Sequence, residues 1–389
     1  MKSGYTPAMI SFSLEAPAAI HFGAGVLEKL RDLSVREGRK TLLLSGARWL
    51  ASSEWKGKIG ALLDGLDVFS LACPEGEPST ETLASSLEAA GAFSPDLLIA
   101  IGGGSVLDTA KALSALLRHG GPVTKYLEGV PGSVGVPGPG LPWIAVPTTA
   151  GTGAEVTKNA VIRVTDLGVK RSMRSAYLLA RAVIVDPQLT VSLPPRVTGI
   201  AGLDALTQLI EAYVTKKSNL LVRSLIEGAF PSMLRALQGL AREPRNVGLR
   251  SDASYGALVS GIALANAGLG AAHGFAAALG GMFAVPHGLA CAVCLPHVLE
   301  ANAEQVRKAI ERLTASPGTE GPAGDPVEWL VQKVREILSG FGLPLDLRDY
   351  RIPAERMREI AEKSSGSSMS GNPRELSLMD REKILAKII

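Results

Sequence analysis

The chain of 389 residues has few cysteines and no marked excess of charge of either sign. Three cysteines cannot form a framework of disulfides in a chain of this size, so we expect a reducing, cytoplasmic environment. Forty basic and 37 acidic residues leave a net charge of +3, and basic runs are no longer than pairs such as Lys216 and Lys217. Nucleic-acid binding therefore has no electrostatic basis, and small molecules are the expected partners.

The sequence also lacks a continuous apolar segment at its start, because Ser11, Ser13 and Glu15 interrupt MKSGYTPAMISFSLEAP. Secretion is therefore not indicated. Residues 253–299 contain no Asp, Glu, Lys or Arg, which a membrane hairpin would also show. Asn266 and several His, Pro and Gly residues interrupt this stretch, so we favour one or two helices buried inside the protein over a membrane segment.

Short β-rich runs alternate with helical patterns in the first half of the chain. The runs are TLLLS (41–45), LDVFSLA (66–72), DLLIAIG (96–102), LPWIAVP (141–147) and RAVIVDP (181–187). This alternation predicts a parallel sheet with flanking helices. Strand signals stop near Pro194 and Pro195, so we expect an α/β domain over residues 1–195 and an all-α domain over residues 196–389.

A glycine-rich turn follows one of the predicted strands, in DLLIAIGGGSVLDTAKALSALL (96–117). Glycines at a junction of strand and helix let a phosphate approach the backbone, and the helix N-terminus attracts its charge. The sequence is not GxGxxG, so a tight turn without a ligand is the alternative. Lys111, in the helix, is expected to be solvated. Thr148, Thr149 and Thr152 follow the strand at 141–147 and could complete a phosphate or ribose site.

Polar residues lie at helical spacing in the apolar segment GLDALTQLIEAYVT (202–215). Asp204, Gln208 and Glu211 share one helix face, and His273 and His287 follow downstream. A carboxylate and two imidazoles are a common ligand set for catalytic Fe²⁺ or Zn²⁺. A hydrogen-bonded core histidine is the alternative for His273, and Glu211 is expected to cap or bridge the helix.

Cys291 and Cys294 form a C-x-x-C motif in the apolar run LACAVCLP. No cationic neighbours are present in this run to activate the thiols. We therefore interpret both as small buried hydrophobic residues rather than as a redox pair.

Taken together, the motifs resemble the iron-containing (group III) alcohol dehydrogenases over nearly the whole chain. The matching segments are IHFGAG, IGGGSVLDTAK, PTTAGTGAEVTKNAVI, IVDPQLTVSLPP, GLDALTQLIEAYVT, VPHGLACAVCLPHVLEAN and NPREL. The resemblance implies a dehydroquinate synthase-like architecture. In that fold an N-terminal α/β dinucleotide-binding domain and an all-α domain hold NAD or NADP and a divalent metal, Fe²⁺ or Zn²⁺, in the cleft between them.

The resemblance also assigns residues to the site. The cofactor residues it implies are Gly102, Gly103, Gly104, Ser105, Asp108, Thr148, Thr149, Thr152 and, at the nicotinamide end, Lys170. The metal ligands it implies are Asp204, Gln208, His273 and His287, of which Asp204, His273 and His287 are also the expected catalytic residues.

Three positions depart from the family pattern. Gln208 stands where histidine is usual, and an amide oxygen is a weaker donor, so metal affinity should be lower. Ala277 stands where many members have a histidine near the substrate, which removes a possible proton relay. Gly46 follows the strand where relatives that use NAD carry an acidic residue, and with Arg48 nearby we expect NADP(H) to be preferred.

The sequence therefore predicts a metal-dependent oxidoreductase that interconverts a small alcohol and its aldehyde or ketone, as a homodimer or higher homo-oligomer. The alternatives are a maleylacetate reductase or polyol dehydrogenase of the same superfamily and a metal-free, weakly catalytic binding or assembly protein. A dehydroquinate-synthase-like cyclase is disfavoured, because the stretch 253–299 offers no basic residues for a polyanionic substrate.

Overall fold

The computed structural model describes residues 11–46 and 54–389. Strands and helices alternate in the first half, as the sequence predicts. The strands are β1 (Ile20–Phe22), β2 (Lys40–Gly46), β3 (Asp67–Cys73), β4 (Leu97–Gly102), β5 (Trp143–Pro147), β6 (Asn159–Val164), β7 (Val169–Arg174) and β8 (Ala182–Val185). The helices of this half are α1 (Lys29–Glu37), α2 (Trp55–Leu62), α3 (Thr80–Phe93) and α4 (Gly104–His119).

Six of these strands form one parallel sheet in the order β1-β8-β5-β4-β2-β3. Every residue of β4 is buried, which explains its uninterrupted apolar sequence LLIAIG, since helices cover both faces of such a sheet. The predicted parallel sheet with flanking helices is confirmed. The short edge strand β1 and the pair β6–β7 were not predicted.

The chain reverses its direction across the sheet between β2 and β4. From β2 it continues to β3 on one side, and it then returns to β4 on the other side of β2. Ligands of open α/β sheets bind at the carboxyl ends of the strands at such a switch point. The register places Ser45 beside Ile101 and Gly102 beside Pro147, so the residues that follow β2, β4 and β5 share one edge.

Strands β6 and β7 form a separate antiparallel hairpin that packs against α4. This hairpin covers the side of α4 that carries Lys111. The Lys111 ammonium is 0% exposed and donates hydrogen bonds to Asp108 Oδ1, Thr157 Oγ1 and the Asn159 carbonyl at 3.0, 2.8 and 2.8 Å. The expectation that Lys111 is solvated is wrong, because Asp108 of the same helix, Thr157 and the first residue of β6, Asn159, surround its ammonium with three oxygens.

Residues 195–389 contain helices and no strand, in agreement with the predicted all-α half. The first helix begins at Pro195, where a missing N–H costs no helical hydrogen bond. The helices are α5 (Pro195–Val214), α6 (Leu220–Leu240), α7 (Val247–Ala267), α8 (Ala271–Phe283), α9 (His287–Ala301), α10 (Ala303–Thr314), α11 (Pro326–Gly340), α12 (Met357–Lys363), α13 (Ser367–Gly371) and α14 (Leu378–Leu385).

The stretch without acidic or basic residues, 253–299, lies mainly in α7, α8 and α9. Most of its side chains are buried against the other helices, as expected. No single helix in the described part of the chain has the length and apolar composition needed to cross a membrane. Helices α7 and α8 reach that length and composition only as a pair, and they meet at a bend of 98°.

Candidate active site

One cleft, with a volume of about 750 Å³, is lined by residues from both halves of the chain. From the first half it includes Gly104, Ser105, Asp108, Thr152 and Lys170. From the helical half it includes Asp204, Gln208, His273, Ala277 and His287. The cleft therefore joins the glycine-rich turn to the proposed metal ligands.

The glycine-rich turn connects β4 to the start of α4, as predicted. Gly103 is the N-cap residue of α4 and supplies no side chain to bind the first N–H groups, which leaves them available to an anion. A Cβ atom on Gly104 would lie 2.9 Å from Thr152 Oγ1, so only glycine allows this approach. The Thr148 N–H donates a hydrogen bond to the Gly102 carbonyl at 3.0 Å. The turn and the threonine-rich segment are thus neighbours.

Three further cofactor candidates come from other parts of the first half. Both carboxylate oxygens of Asp108 are already bonded, one to Lys111 and the other to the Val161 N–H at 2.9 Å. Lys170 lies on β7, lines the cleft and forms an ion pair with Glu77 at 2.7 Å. Gly46 is the last residue of β2, and Arg48 lies outside the described residues.

The metal candidates come together where α5 packs against α9. Asp204 lies in the middle of α5, and His287 is the first residue of α9. A Cβ atom on Gly288 would lie 2.4 Å from the Ile200 carbonyl oxygen and 3.0 Å from Asp204 Cβ. Only glycine permits this close packing, which brings the first turn of α9 beside Asp204.

The side chains of Asp204, His273, His287 and Cys291 offer ligand atoms that all lie within 4.8 Å of one another. Asp204 Oδ1 is 3.4 Å from His273 Nε2 and 4.0 Å from His287 Nε2, and Cys291 Sγ is 3.7 Å from His287 Nε2. Donors at zinc distances in a tetrahedron are separated by roughly 3.3–3.6 Å. The arrangement is thus close to that needed by one divalent ion.

Two of these ligand atoms have no other partner within the described ranges. Asp204 Oδ1 and His273 Nε2 are buried and form no hydrogen bond of acceptable geometry among those residues. Burying a polar atom without a hydrogen bond costs free energy of folding unless water or an ion binds it instead. A cation between them would satisfy both atoms, so the residues present fit the divalent metal that the sequence predicts.

The electrostatics of the cluster also favour positive charge. Burial alone would lower the pKa of His273, but Cys291, Asp204 and Glu211 raise that pKa well above its ordinary value. Cys291 is the main cause that raises the pKa of His287 to about 9. Burial opposes ionisation of Asp204, yet the two histidines hold its pKa below the usual value. The cluster therefore attracts protons or a metal cation.

Glu211 supports the cluster from two turns further along α5 than Asp204. Its carboxylate accepts hydrogen bonds from the N–H groups of Gly270 at 2.9 Å and Ala272 at 2.7 Å, at the start of α8. It also contacts His273 Nδ1 at 2.7 Å. The expectation that Glu211 caps or bridges a helix is confirmed, although the helix it caps is α8, and the contact also orients the His273 ring.

Gln208 lies on the same face of α5 and lines the cleft, but its amide has other partners. Its Oε1 atom accepts a hydrogen bond from Ser260 Oγ at 2.9 Å, and its Nε2 donates to the Thr152 carbonyl at 3.4 Å. Cys291 and Cys294 are buried, as expected. The proximity of Cys291 to the metal candidates was missed, although its spacing of four residues from His287 was a usable signal.

Comparison with protein families matches the two halves of the chain in turn. Residues 17–187 match the model described as iron-containing alcohol dehydrogenase. Residues 198–389 match the model of the C-terminal part of the Fe-containing alcohol dehydrogenase family.

Curated proteins of similar sequence include several alcohol and aldehyde oxidoreductases. A long-chain-alcohol dehydrogenase of Geobacillus thermodenitrificans is 33% identical over 349 residues, which is 88% of both chains. An NADPH-dependent butanol dehydrogenase of Clostridium saccharobutylicum is 29% identical over 390 residues, or 97% of each chain. A lactaldehyde reductase of Escherichia coli is 30% identical and covers 92% of this chain and 94% of its own.

Solved structures with the same fold include a 1,3-propanediol oxidoreductase, with a TM-score of 0.91 and 27% identity over 97% of this chain and 99% of the other. An iron-containing alcohol dehydrogenase of Thermococcus thioreducens has a TM-score of 0.86 and 28% identity over 97% and 99% of the two chains.

These comparisons confirm the predicted fold class, the assignment to NAD(P)-linked oxidoreductases that act on alcohols, and the dependence on a divalent metal. The match extends over both halves of the chain and over both walls of the cleft. The chain belongs to the iron-containing alcohol dehydrogenase family.

Proposed function

We propose that this enzyme interconverts a small alcohol and its aldehyde or ketone by hydride exchange with NADP(H) in the cleft. The observation that carries the proposal is the continuity of that cleft. The N-terminus of α4 opens into it from one half of the chain, and Asp204, His273 and His287 line it from the other. A dinucleotide with its phosphates at α4 would extend towards the metal candidates, where a substrate could meet its nicotinamide ring.

Asp204, His273 and His287 are the proposed metal ligands and catalytic residues. A divalent ion held there supplies Lewis acidity and charge stabilisation at the substrate oxygen. Asp204 provides negative charge next to the cation, and Glu211 fixes the orientation of His273. Gln208 stays in the proposed site as a neutral side chain that lines it, with its amide oxygen bonded to Ser260.

The proposed cofactor site begins at the carboxyl ends of β2, β4 and β5. Gly102, Gly103, Gly104 and Ser105 are assigned to the pyrophosphate, because the free N–H groups of α4 lie there. Thr148, Thr149 and Thr152 border the same turn, and Asp108 lines the cleft one turn into α4. Lys170 is assigned to the nicotinamide end because it reaches the helical half of the chain. Its Nζ atom lies 3.4 Å from the position that a Cβ atom on Gly280 of α8 would take.

The preference for NADP(H) over NAD(H) is proposed from Gly46. This residue ends β2 at the switch point and has no carboxylate to bind the two ribose hydroxyls, so a 2′-phosphate meets no repulsion there. The ratio of kcat/KM for NADPH and NADH with one aldehyde measures the preference. Comparable values, or a higher value for NADH, would contradict it.

Ala277 leaves the proton step without the additional histidine that the family resemblance leads us to expect at this position of the cleft wall. Its side chain is exposed to the cleft and cannot take up or release a proton. Water or a ribose hydroxyl is therefore the proposed route for the proton. Ala277→His should shift the pH profile of kcat if the position lies beside the substrate, and an unchanged profile would place the proton route elsewhere.

The central experiment compares parent protein with His273→Ala. Metal content is measured on freshly purified protein, and NADPH oxidation is followed with a panel of short-chain aldehydes and ketones. We expect nearly stoichiometric metal and turnover in the parent, and loss of both in the variant. A parent that holds no metal and turns over no carbonyl compound would instead support a binding or assembly protein.

We also infer a reducing cytoplasmic environment, a homodimer or higher homo-oligomer, and two domains that meet at residues 195–196. Free, buried thiols at Cys73, Cys291 and Cys294 support the first inference. The start of α5 at Pro195 and the gap between the two family matches support the domain boundary. Light scattering after size-exclusion chromatography tests the oligomeric state, and limited proteolysis tests the boundary.

A further inference from the structure

We propose that Cys291 is a ligand of the catalytic metal ion, in place of the donor that Gln208 fails to provide, and that the ion is Zn²⁺ rather than Fe²⁺. This inference rests on the proposed metal-dependent function. It adds a sulfur donor to the site and a choice of metal.

The helices place Cys291 at the cluster by simple periodicity. His287 and Cys291 are four residues apart on α9, so their side chains project from one face on successive turns. Asp204 and Gln208 have the same spacing on α5. Because α5 and α9 pack closely at Gly288, the second turn of α9 is directed at the same point as Asp204.

The Cys291 thiol is part of the hydrophobic core, but it also contacts polar ligand atoms, unlike a cysteine that only fills a core. Its sulfur atom is buried and lies 3.7 Å from His287 Nε2. It shares one group of ligand atoms, all within 4.8 Å, with Asp204 and His273. Asp204 Oδ1 and His273 Nε2 both lack a hydrogen-bond partner in the described ranges. A cation between the four atoms would satisfy both unpaired atoms.

Gln208 is poorly placed to supply a fourth donor. Its Nε2 donates to the Thr152 carbonyl, which turns Oε1 towards the Ser260 hydroxyl. Rotation of Oε1 towards the cluster would break both of these hydrogen bonds. Ser260 and Gln208 are each no more than 3% exposed, so solvent could not replace them readily.

The thiol also improves the charge balance and selects the metal. A buried divalent cation with Asp204 alone keeps one uncompensated positive charge, whereas Asp204 and the Cys291 thiolate together neutralise it. Thiolate is a soft donor that suits zinc, and sites of this kind bind Zn²⁺ more tightly than Fe²⁺. Zinc accepts four or five ligands, so a fourth protein donor leaves room for a substrate.

Cobalt substitution tests the sulfur contact directly. The full-length protein is stripped with a chelator and reloaded with Co²⁺, and its absorption spectrum is recorded without substrate. We expect a thiolate-to-cobalt charge-transfer band in the near ultraviolet, together with visible bands of a low-coordinate ion. Cys291→Ser should lose the charge-transfer band while the visible bands remain. Cys294→Ser is the matched control, because Cys294 is equally buried on the same helix but lies outside the ligand group.

Zinc retention gives a second readout that does not depend on activity. Zinc should dissociate from Cys291→Ser at least about tenfold faster than from the parent, since even partners outside the ligand set commonly change affinity by 10–100-fold. Cys294→Ser should keep the parental rate. With equal Fe²⁺ and Zn²⁺ under anaerobic conditions the parent should retain zinc, and preferential retention of iron would overturn the choice of metal.

The outcomes separate this inference from the proposed function. A parent that binds cobalt, is active with its native metal and shows no thiolate band would overturn the role of Cys291 and leave the function intact. A parent that binds neither metal and has no turnover would overturn both. Because the parent spectrum alone decides whether sulfur is bound, poor folding of Cys291→Ser would not obscure the result.

Discussion

Replacement of Glu211 by glutamine tests how the protein holds His273, a proposed metal ligand, in position. The Glu211 carboxylate lies between α5 and the first turn of α8, where it accepts hydrogen bonds from backbone N–H groups of Gly270 and Ala272 and contacts His273 Nδ1. An amide has nearly the same shape, but one of its two terminal atoms is a donor. Glu211→Gln therefore sets at least one N–H group against another donor, whichever way the amide turns.

The magnitude follows from this geometry. A hydrogen bond to a charged group contributes about 1.5–3 kcal/mol, and Glu211 is only 3% exposed, so we expect the free energy of unfolding to fall by about that amount. The effect on metal binding should be separate. Carboxylates that orient a metal-binding histidine typically change affinity by about 10–100-fold, or about 1.4–2.7 kcal/mol.

Two measurements on the same preparations distinguish these effects. The dissociation constant for Zn²⁺ is obtained by competition with a chelator, and the midpoint of urea unfolding is obtained for metal-free protein. Glu227→Gln is a suitable control, because Glu227 is partly buried and binds Tyr213 and Arg312 rather than the metal cluster. It should lower stability without weakening zinc binding. If Glu211→Gln lowers the unfolding midpoint but binds zinc as tightly as the parent, Glu211 is only a helix cap.

Further substitutions test other parts of the cleft. Gly103→Val places a side chain at the proposed pyrophosphate site, with its Cβ atom 3.3 Å from Thr149 Cγ2. It should abolish NADP binding in a calorimetric titration, while the circular dichroism spectrum stays like that of the parent. Unchanged affinity would show that the loop is only a turn. Burial raises the pKa of Glu155 from 4.5 to about 7, so the folded state favours its protonated form, and the contribution of Glu155 to the stability of the parent should fall by about 3 kcal/mol as the pH rises from 4.5 to 7. Glu155→Gln should remove that loss, and equal urea midpoints for parent and variant at pH 8 would contradict the reasoning. Gln208→His adds an imidazole one turn from the cluster and should slow the release of zinc to a chelator; equal release rates would mean that this part of α5 does not reach the metal.

The sequence predicted those elements whose pattern depends on local structure. Strand β4 was visible because burial on both faces requires a continuous apolar run, and the turn after it because glycines mark a close approach of backbone. The hairpin β6–β7 was missed, since its sequence NAVIRVTDLGVKRSMR contains five charged residues and lacks a regular apolar alternation. Its neighbour is α4 rather than the main sheet, and sequence patterns do not reveal such a partner.

The same limit explains what the sequence did not reveal at individual residues. Lys111 was expected in solvent because lysine is rarely buried, but the hairpin that covers it lies about fifty positions along the chain. Cys291 is buried, as its apolar sequence neighbours predict, but its polar neighbours are His287 one turn back on α9 and Asp204 and His273 on α5 and α8. Asp204 and the histidines were found because their chemical type is unusual in an apolar segment.

The ion pair of Asp108 and Lys111 fixes the spacing between the two ends of the proposed cofactor site. Asp108 accepts a hydrogen bond from the Val161 N–H and Lys111 donates one to the Asn159 carbonyl, so two partly buried hydrogen bonds hold α4 against β6. Lys170 lies on the strand paired with β6, opposite Arg163. The span from the start of α4 to Lys170 is therefore set by the fold itself. If both ends belong to the cofactor site as proposed, a dinucleotide contacts them at once, whereas a mononucleotide reaches only one.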